Sequence, residues 1–375
     1  MNDHLLESPE TLIQRYPLSK QGADTIASRR NEIVAILQGK DTRLLLIVGP
    51  CSIHNIAAGR EYAERLQRLS VEVEDSLLIV MRTYFEKPRT SFGWKGLLYD
   101  PHLDGSNDIA RGCRLCRSFL VELAELGLAT ATEFLEPLSS NYLADLISWG
   151  SIGARTVQSP IHREIASNLP MPVGFKNRND GNIEIAVQAA ASSKEKHTFL
   201  GVGSDGRIAI KRSLGNIFPH IVLRGSEEAD NLDLTSQTYA ATLLDKYGLP
   251  PSLLIDVSHG NSRRNFRKQT TNFSLLIDQI QKGNRLIRGI MVESNLLEST
   301  QETLQQALLD RQNLHLYPHP RSYGHSYSSE EIAFGASLTD PCLGWQATET
   351  LIKEAAKLNT SSFFSLSSSL SLAHL

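Results

Sequence analysis

Eight short apolar runs recur along the chain, and they limit its possible folds more than any other feature. Segments with apolar residues at helical spacing, such as 57–69 and 140–150, separate the runs. Continuous apolar runs of this length are typical of parallel strands that are covered on both faces. Eight strand-then-helix units in series predict a (β/α)8 TIM barrel, with a doubly wound open sheet as the alternative. The runs lie at residues 43–49, 76–83, 128–134, 151–157, 171–177, 220–225, 252–259 and 287–294.

One pair of segments breaks the alternation of strands and helices. Residues 197–203 and 207–213 lie close together around a glycine-containing turn, which predicts an added β-hairpin before the sixth barrel strand. The predicted organisation is an N-terminal extension over 1–42 and a barrel over 43–358. The barrel includes a long loop at about 295–336, and a Ser/Leu-rich tail follows over 359–375.

The composition indicates an ordinary globular protein. Hydrophobic residues make up 41% of the 375 residues and charged residues 21%, with a net charge of −3. This charge gives no field that favours nucleic acid or an anionic membrane, and no apolar run reaches the ~20 residues of a membrane helix. The first residues lack a secretory signal pattern, so we expect a cytoplasmic protein whose four cysteines are free or metal-bound.

Reactive or charged side chains follow the apolar runs. In a barrel of this kind, the functional site lies at the carboxyl ends of the strands. A single charged residue at such a place is usually only reaching solvent, but one at each of eight strand ends predicts a site. These residues are Cys51, Arg82, Glu133, Arg155, Lys176, Arg224, His259 and Glu293.

The predicted site divides by chemistry. Its cations favour a substrate with several negative charges, most simply phosphate plus carboxylate. Cys51, His259 and Glu293 together suit a divalent transition metal, and Asp340 on a late loop is the candidate fourth ligand. The stretch 85–96 adds further cations and a hydroxyl on a turn stiffened by proline, which suits a second phosphate.

Motifs in the same order identify a family that the sequence resembles. It is similar to the type I 3-deoxy-D-arabino-heptulosonate-7-phosphate (DAHP) synthases, in their microbial feedback-regulated subfamily. The resemblance covers roughly residues 10–358. The motifs are GPCSIH (49–54), EKPRTSFGWKG (86–96), NYLADLISWGSIGART (141–156), PVGFKN (172–177), VLRG (222–225), IDVSHGNS (255–262), GIMVES (289–294) and SLTDPCLGW (337–345).

The resemblance implies a reaction and its requirements. It implies a transferase that condenses phosphoenolpyruvate (PEP) with D-erythrose 4-phosphate in a metal-dependent, aldol-type step. The products are DAHP and phosphate, at the start of the shikimate pathway to aromatic compounds. It also implies a homo-oligomer, dimeric or tetrameric, and a divalent ion, Mn²⁺ or a similar ion such as Fe²⁺, Co²⁺ or Zn²⁺.

The resemblance also implies a role for each matching residue. The metal ligands would be Cys51, His259, Glu293 and Asp340. The PEP site would contain Arg82, Lys87, Ala154, Arg155, Lys176 and Arg224. The erythrose 4-phosphate site would contain Lys87, Pro88, Arg89 and Thr90. The catalytic residues would be Lys87, Glu133 and His259, with Glu133 orienting the water that adds to PEP.

Two other functions stay open at this stage. One is a related PEP-dependent aldol synthase that uses another phosphosugar, against which the KPRT motif at 87–90 argues. The other is a non-catalytic paralogue that binds ligands without turnover, against which the intact metal and phosphate residues argue.

Several departures from the family pattern fall where its members bind aromatic amino acids as feedback inhibitors. Pro170 and Lys211 replace a serine and a small apolar residue, while Ser140 and Gly201 replace a proline and a serine. Pro170 has no N–H to donate, and an unpaired lysine is costly to bury. We therefore expect weak or absent inhibition by phenylalanine, tyrosine and tryptophan, with catalysis intact.

Overall fold

Eight parallel strands close into a barrel in the computed structural model, which describes residues 4–89, 93–300 and 332–357. Around the barrel the strands follow in the order β1 (Leu44–Gly49), β10 (Ile287–Glu293), β9 (Leu253–Asp256), β8 (His220–Leu223), β5 (Val173–Lys176), β4 (Trp149–Ile152), β3 (Ala129–Glu133) and β2 (Leu77–Arg82). The last strand pairs with the first, so the (β/α)8 prediction is confirmed and the open sheet is excluded.

Alternate residues of each strand belong to two separate apolar layers. On β1, Leu45 and Ile47 pack in the barrel interior, whereas Leu46 and Val48 pack outward with the helices. Both faces are therefore buried, which explains why the strands appear in the sequence as unbroken apolar runs.

Helices cover the outside of the barrel and precede it. They are α1 (Pro9–Arg15), α2 (Lys20–Leu37), α3 (Ile56–Glu72), α4 (Ile109–Glu125), α5 (Ser140–Leu143), α6 (Pro160–Asn168), α7 (Glu184–Lys194), α8 (Leu234–Lys246), α9 (His259–Ser262), α10 (Lys268–Gln281) and α11 (Trp345–Ala356).

The N-terminal extension packs against the barrel interior through α2. Ile33, Ile36 and Leu37 of α2 join the same apolar cluster as Leu45 and Ile47 of β1. The side chain of Ser19 accepts a hydrogen bond from the Gly22 N–H and caps the start of this helix. The extension is thus part of the barrel core rather than a loose arm.

The predicted hairpin is present. Strands β6 (Thr198–Val202) and β7 (Ile208–Arg212) form a two-stranded antiparallel sheet apart from the barrel. Its outward residues include the exposed aliphatic side chains Leu200, Ile208 and Ile210.

The bounds of the fourth barrel strand differ from the prediction. The apolar pattern placed it at 151–157, but β4 ends at Ile152 and the chain turns at 153–157. Trp149, buried in the barrel interior, begins the strand instead. The tail at 359–375 and residues 301–331 of the predicted long loop lie outside the described residues.

Among the described residues, no helix combines the length and the apolar character that a membrane span requires.

Candidate active site

A cavity of about 520 Å³ lies at the carboxyl ends of the barrel strands. Residues from the ends of β2, β3, β5 and β8 line it, together with the loops that follow β4, β9 and β10. Cationic side chains dominate its wall, and acidic ones are fewer. The cations are Arg82, Lys87, Arg89, Arg155, Lys176, Arg224, Arg263 and Arg264. Such a wall suits a ligand with more than one anionic group.

A thiol and two carboxylates meet beside this cavity. The ligand atoms of Cys51, Glu293 and Asp340 all lie within 4.8 Å of one another. Strand pairing explains the first two, because Gly49 of β1 lies opposite Glu293 of β10 and Cys51 follows two residues later. Asp340 comes from the loop before α11.

His259 lies at the edge of this cluster. Its Nε2 is 3.5 Å from Glu293 Oε1, and its Nδ1 is 2.8 Å from Asp256 Oδ2. His259 begins the short helix α9, three residues beyond β9, and has a φ of 47°. Such a backbone is uncommon outside glycine and costs energy, so the surrounding contacts must hold it in place.

Lys87 connects the cationic wall to the thiol. Its Nζ donates hydrogen bonds to the Cys51 carbonyl at 3.0 Å and to Cys51 Sγ at 3.1 Å. Burial raises the pKa of the Cys51 thiol to about 11, and the nearby Glu293 carboxylate acts in the same direction. Burial opposes ionisation of Asp340, but His259 and Lys87 bring its pKa below the ordinary value.

Arg82 is fully buried beneath the cluster. Its Nη2 donates to Glu293 Oε1 at 3.0 Å, and its Nε donates to the Pro50 carbonyl at 3.3 Å. Its guanidinium carbon lies 3.9 Å from the centre of the Tyr84 ring. Arg82 therefore fixes Glu293 while it also lines the cavity.

Lys176 lies between two carboxylates. Its Nζ is 3.8 Å from Glu133 Oε2 and 3.7 Å from Asp256 Oδ2. Burial would lower the pKa of Lys176, but Tyr84, Asp256 and Glu133 raise it above the ordinary value. Gly153 makes room for Glu133, since a Cβ at position 153 would lie 2.0 Å from Glu133 Oε1.

Comparison with known proteins decides the family. The model of the family described as "DAHP synthetase I family" matches residues 17–353. The chain belongs to the DAHP synthetase I family. A Tyr-sensitive phospho-2-dehydro-3-deoxyheptonate aldolase of Escherichia coli strain K12 is 43% identical over 353 residues, 94% of this chain and 93% of that protein. A Trp-sensitive enzyme of Enterobacter agglomerans is 43% identical over 347 residues, 92% of this chain and 93% of that protein.

A solved structure supports the same assignment. The phospho-2-dehydro-3-deoxyheptonate aldolase of Francisella tularensis SCHU S4 has a TM-score of 0.86 and 37% sequence identity, and the match covers 97% of this chain and 98% of that one. The family, the enzyme class and the DAHP synthase activity predicted from the motifs are thereby confirmed.

Most of the residues that the motifs assign to this DAHP synthase site lie together in the structure. Arg155 and Ala154 line the cavity from the turn after β4 rather than from the strand itself. Pro88 and Arg89 also line it, whereas Thr90 lies outside the described residues. Their individual roles stay predictions.

Sequence reasoning missed two cations of the cavity wall. Arg263 and Arg264 follow α9 with φ angles of 51° and 57° and line the cavity. They directly follow the IDVSHGNS motif, and this position is the one sequence feature that could have indicated them. Both arginines lie in a loop rather than at the end of a strand, so the strand-end pattern does not predict them.

Glu86 holds the segment that carries Lys87. Its Oε1 accepts the Glu136 N–H at 3.2 Å, and its Oε2 accepts the Ser139 hydroxyl at 3.1 Å. Burial raises the pKa of Glu86 to about 8 against these hydrogen bonds.

The raised pKa of Glu86 predicts a pH dependence of stability. Between the ordinary value of 4.5 and about 8, the folded protein holds a proton that the unfolded chain has lost. The contribution of Glu86 to stability is therefore complete below pH 4.5 and is lost as the pH rises through 8. Urea unfolding at pH 5.5 and 8.5 should show a smaller loss of stability for Glu86→Gln than for the unmutated protein. Equal losses in the two proteins would contradict the prediction.

Proposed function

We propose that this chain condenses PEP with D-erythrose 4-phosphate to give DAHP and inorganic phosphate, the first step of the shikimate pathway. The observation that carries the proposal is the cation-lined cavity at the carboxyl end of the barrel, directly beside Cys51, Glu293 and Asp340. Two anionic substrates and a metal-assisted condensation need these two features next to each other.

PEP is assigned to the inner part of the cavity. Arg155, Lys176 and Arg224, with the Ala154 N–H, would hold its phosphate. Arg82 and Lys87 would hold its carboxylate. The assignment is supported by the burial of Lys176, Arg224 and Arg82, because buried cations bind anions without competition from bulk water.

Erythrose 4-phosphate is assigned to the outer part. Lys87, Pro88, Arg89 and Thr90 would bind it. In support, Arg89 is exposed and lines the cavity, with its Nε hydrogen-bonded to the Trp94 carbonyl at 3.0 Å. Lys87 lies between the thiol and the cavity and can serve both substrates.

A divalent metal is assigned to Cys51, His259, Glu293 and Asp340. Thiolate, imidazole and carboxylate together fit a divalent first-row ion, such as Mn²⁺, Fe²⁺, Co²⁺ or Zn²⁺. A bound cation would favour the thiolate of Cys51, whose pKa burial otherwise raises to about 11. Such an ion supplies Lewis-acid polarisation of the sugar aldehyde.

The side chains of the protein are assigned to orient the water and to hold the two anionic substrates. The C2–C3 π electrons of PEP form the new bond from C3 to the aldehyde carbon, and the aldehyde oxygen takes up a proton. Water adds at C2 and loses a proton, and the bond between C2 and the phosphate oxygen then breaks to give the ketone and inorganic phosphate. Positive charge develops at C2, and the Glu133 carboxylate is assigned to orient the water that adds there. Lys176 lies 3.8 Å from the Glu133 carboxylate and is assigned to the phosphate that departs. The cations hold two anions together that would otherwise repel each other.

An assay of PEP consumption with purified protein tests the proposal. Turnover is expected with erythrose 4-phosphate and a divalent ion, and chelation should abolish it. Faster turnover with another aldose phosphate would favour the related aldol synthase. A protein that binds PEP without any turnover would favour the non-catalytic paralogue.

Arg89→Ala should separate the two substrates. Removal of a charge-assisted contact to phosphate costs ~1.5–3 kcal/mol, so the KM for erythrose 4-phosphate should rise by roughly tenfold or more. The KM for PEP should change little. Lys95→Ala in the same loop is the control, because Lys95 does not line the cavity. An equal rise in both KM values would contradict the assignment.

Weak feedback inhibition is the second expected property. Ser140, Gly201 and Lys211 line a cavity of about 60 Å³ between α5, α6 and the hairpin, whereas Pro170 follows Leu169 at its edge. Ligand sites usually measure ~300–1,000 Å³, so this one is too small for an aromatic amino acid. Phenylalanine, tyrosine and tryptophan, each titrated at subsaturating substrate, should inhibit weakly or not at all. Strong inhibition by any of them at micromolar concentration would overturn this prediction.

The predicted homo-oligomer is supported by the hairpin. Its exposed aliphatic residues Leu200, Ile208 and Ile210 lie on one face of the hairpin, and adjacent exposed apolar side chains of this kind suit a protein contact. We propose that this face contacts a second copy of the chain, which the molecular mass in solution would test.

A further inference from the structure

Three buried asparagines connect the ends of neighbouring barrel strands. Asn177 directly follows Lys176, Asn231 lies between β8 and α8, and Asn261 lies in α9. They are 0%, 6% and 5% exposed. None of the three lines the cavity, so they act on the backbone around it.

Asn177 contacts the backbone around Arg224 in two directions. Its Oδ1 accepts the Arg224 N–H at 2.8 Å, and its Nδ2 donates to the Gly225 carbonyl at 3.0 Å. It also accepts a hydrogen bond from Asn231 Nδ2 at 3.2 Å. The end of β5, where Lys176 lies, is therefore hydrogen-bonded directly to the backbone of Arg224, another cation assigned to the phosphate site.

Asn231 and Asn261 extend these contacts to β9. Asn231 Oδ1 accepts the Gly225 N–H at 2.8 Å, and Asn261 Oδ1 accepts the Asn231 N–H at 2.8 Å. Asn261 Nδ2 donates to the Asp256 carbonyl at 2.8 Å, and its own N–H donates to the Arg224 carbonyl at 3.1 Å. The same segment carries His259.

The backbone at Gly225 allows the loop after β8 to lie directly against α9. Gly225 has a φ of +72°, and a Cβ there would lie 2.4 Å from the Asn261 nitrogen. Only glycine combines this conformation with this contact at low cost. The two loops are thus packed directly against each other.

We propose that Asn177, Asn231 and Asn261, here called the asparagine clasp, are positioning residues that hold Lys176, Arg224 and the His259 segment in one fixed frame. The inference rests on the proposed function, in which Lys176 and Arg224 bind the PEP phosphate. A side-chain amide suits this role because it donates and accepts at once, and each clasp amide does so here. Cations held in place before the ligand arrives lose little freedom when it binds, which preserves affinity.

Substitutions at Asn231 test the clasp. Asn231→Ala removes both side-chain contacts, and Asn231→Asp keeps the acceptor for Gly225 but loses the donor to Asn177. Both should raise the KM for PEP and its Kd in calorimetric titration by about tenfold, the effect of one well-placed hydrogen bond. The KM for erythrose 4-phosphate should change less than about twofold.

Asn216→Ala is the matched control. Asn216 is 5% exposed, and its Nδ2 donates to the carbonyls of Ala166, Leu169 and Met171, away from the cavity. It should lower the melting temperature as much as Asn231→Ala does, with both KM values unchanged.

Three outcomes would overturn the inference. Asn231 variants that lose stability with an unchanged affinity for PEP would show that the clasp only supports the fold. An equal rise in both KM values would also count against it, as would the absence of PEP binding to the unmutated chain. If Asn231→Ala fails to fold, Asn231→Asp supplies the same measurements. Lack of turnover by the unmutated chain would instead count against the proposed function, and the calorimetric Kd would still test the clasp.

Discussion

Replacing Cys51 with alanine should remove bound metal and activity together. Cys51 is fully buried, and its sulfur lies within 4.8 Å of ligand atoms of Glu293 and Asp340. Alanine offers no ligand atom, and the remaining carboxylates and imidazole are harder donors with a different preference among metals. Loss of a partner that merely orients a ligand costs 10–100-fold in affinity, so loss of a ligand should cost at least about 100-fold.

Metal content and activity are both needed to read the result. Metal bound per chain would be measured by elemental analysis after dialysis, beside the rate of PEP consumption. Cys116→Ala is a matched control, because Cys116 is equally buried but lies in α4, away from the cavity. A Cys51→Ala protein with near-normal metal content and rate would show that the thiol is not a ligand.

Replacing Lys176 with methionine should have the second largest effect. Methionine matches the length of the side chain but leaves Glu133 and Asp256 without their shared cation. Breaking a buried ion pair by removing one partner typically costs ~3–5 kcal/mol of stability. The same change removes a cation assigned to the PEP phosphate, so the KM for PEP should also rise steeply.

Urea unfolding and PEP kinetics would measure the two effects. Lys246→Met is the control: Lys246 pairs with Glu184 at 2.9 Å, but its side chain is 60% exposed. Exposed pairs of this kind contribute ~0–1 kcal/mol. Equal stability of the two variants would mean that Lys176 is not needed to balance the buried carboxylates.

The sequence predicted the barrel because both layers of its core leave a simple pattern. Each barrel strand is buried on both faces, so each appears as an apolar run. The pattern could not set the end of β4, because the turn at Gly153 depends on space for Glu133, a residue of another strand. Nor could the pattern show that α2 packs against the barrel interior. The apolar spacing of a helix does not reveal which strands it will contact.

The charged and thiol residues of the site could be predicted from the sequence, whereas its neutral polar residues could not. Cations and a thiol at strand ends are unusual enough to notice, so Lys176, Arg224 and Cys51 were found. Asn177 and Asn231 carry no charge and resemble ordinary loop residues. Their importance depends on which backbone groups they meet, and only the folded chain contains that information.

The candidate metal cluster joins the first barrel strand to the last. Leu45 of β1 pairs with Gly289 of β10, about 240 residues later, and the same pairing brings Cys51 beside Glu293. At ~5–20 residues per second, a ribosome needs on the order of 10–50 s to make the intervening chain. Throughout that interval β1 lacks one of its two neighbours and presents an open edge to other nascent chains. The three ligand atoms of the candidate cluster can meet only after Asp340 has also been made, so a metal bound there would follow closure of the barrel.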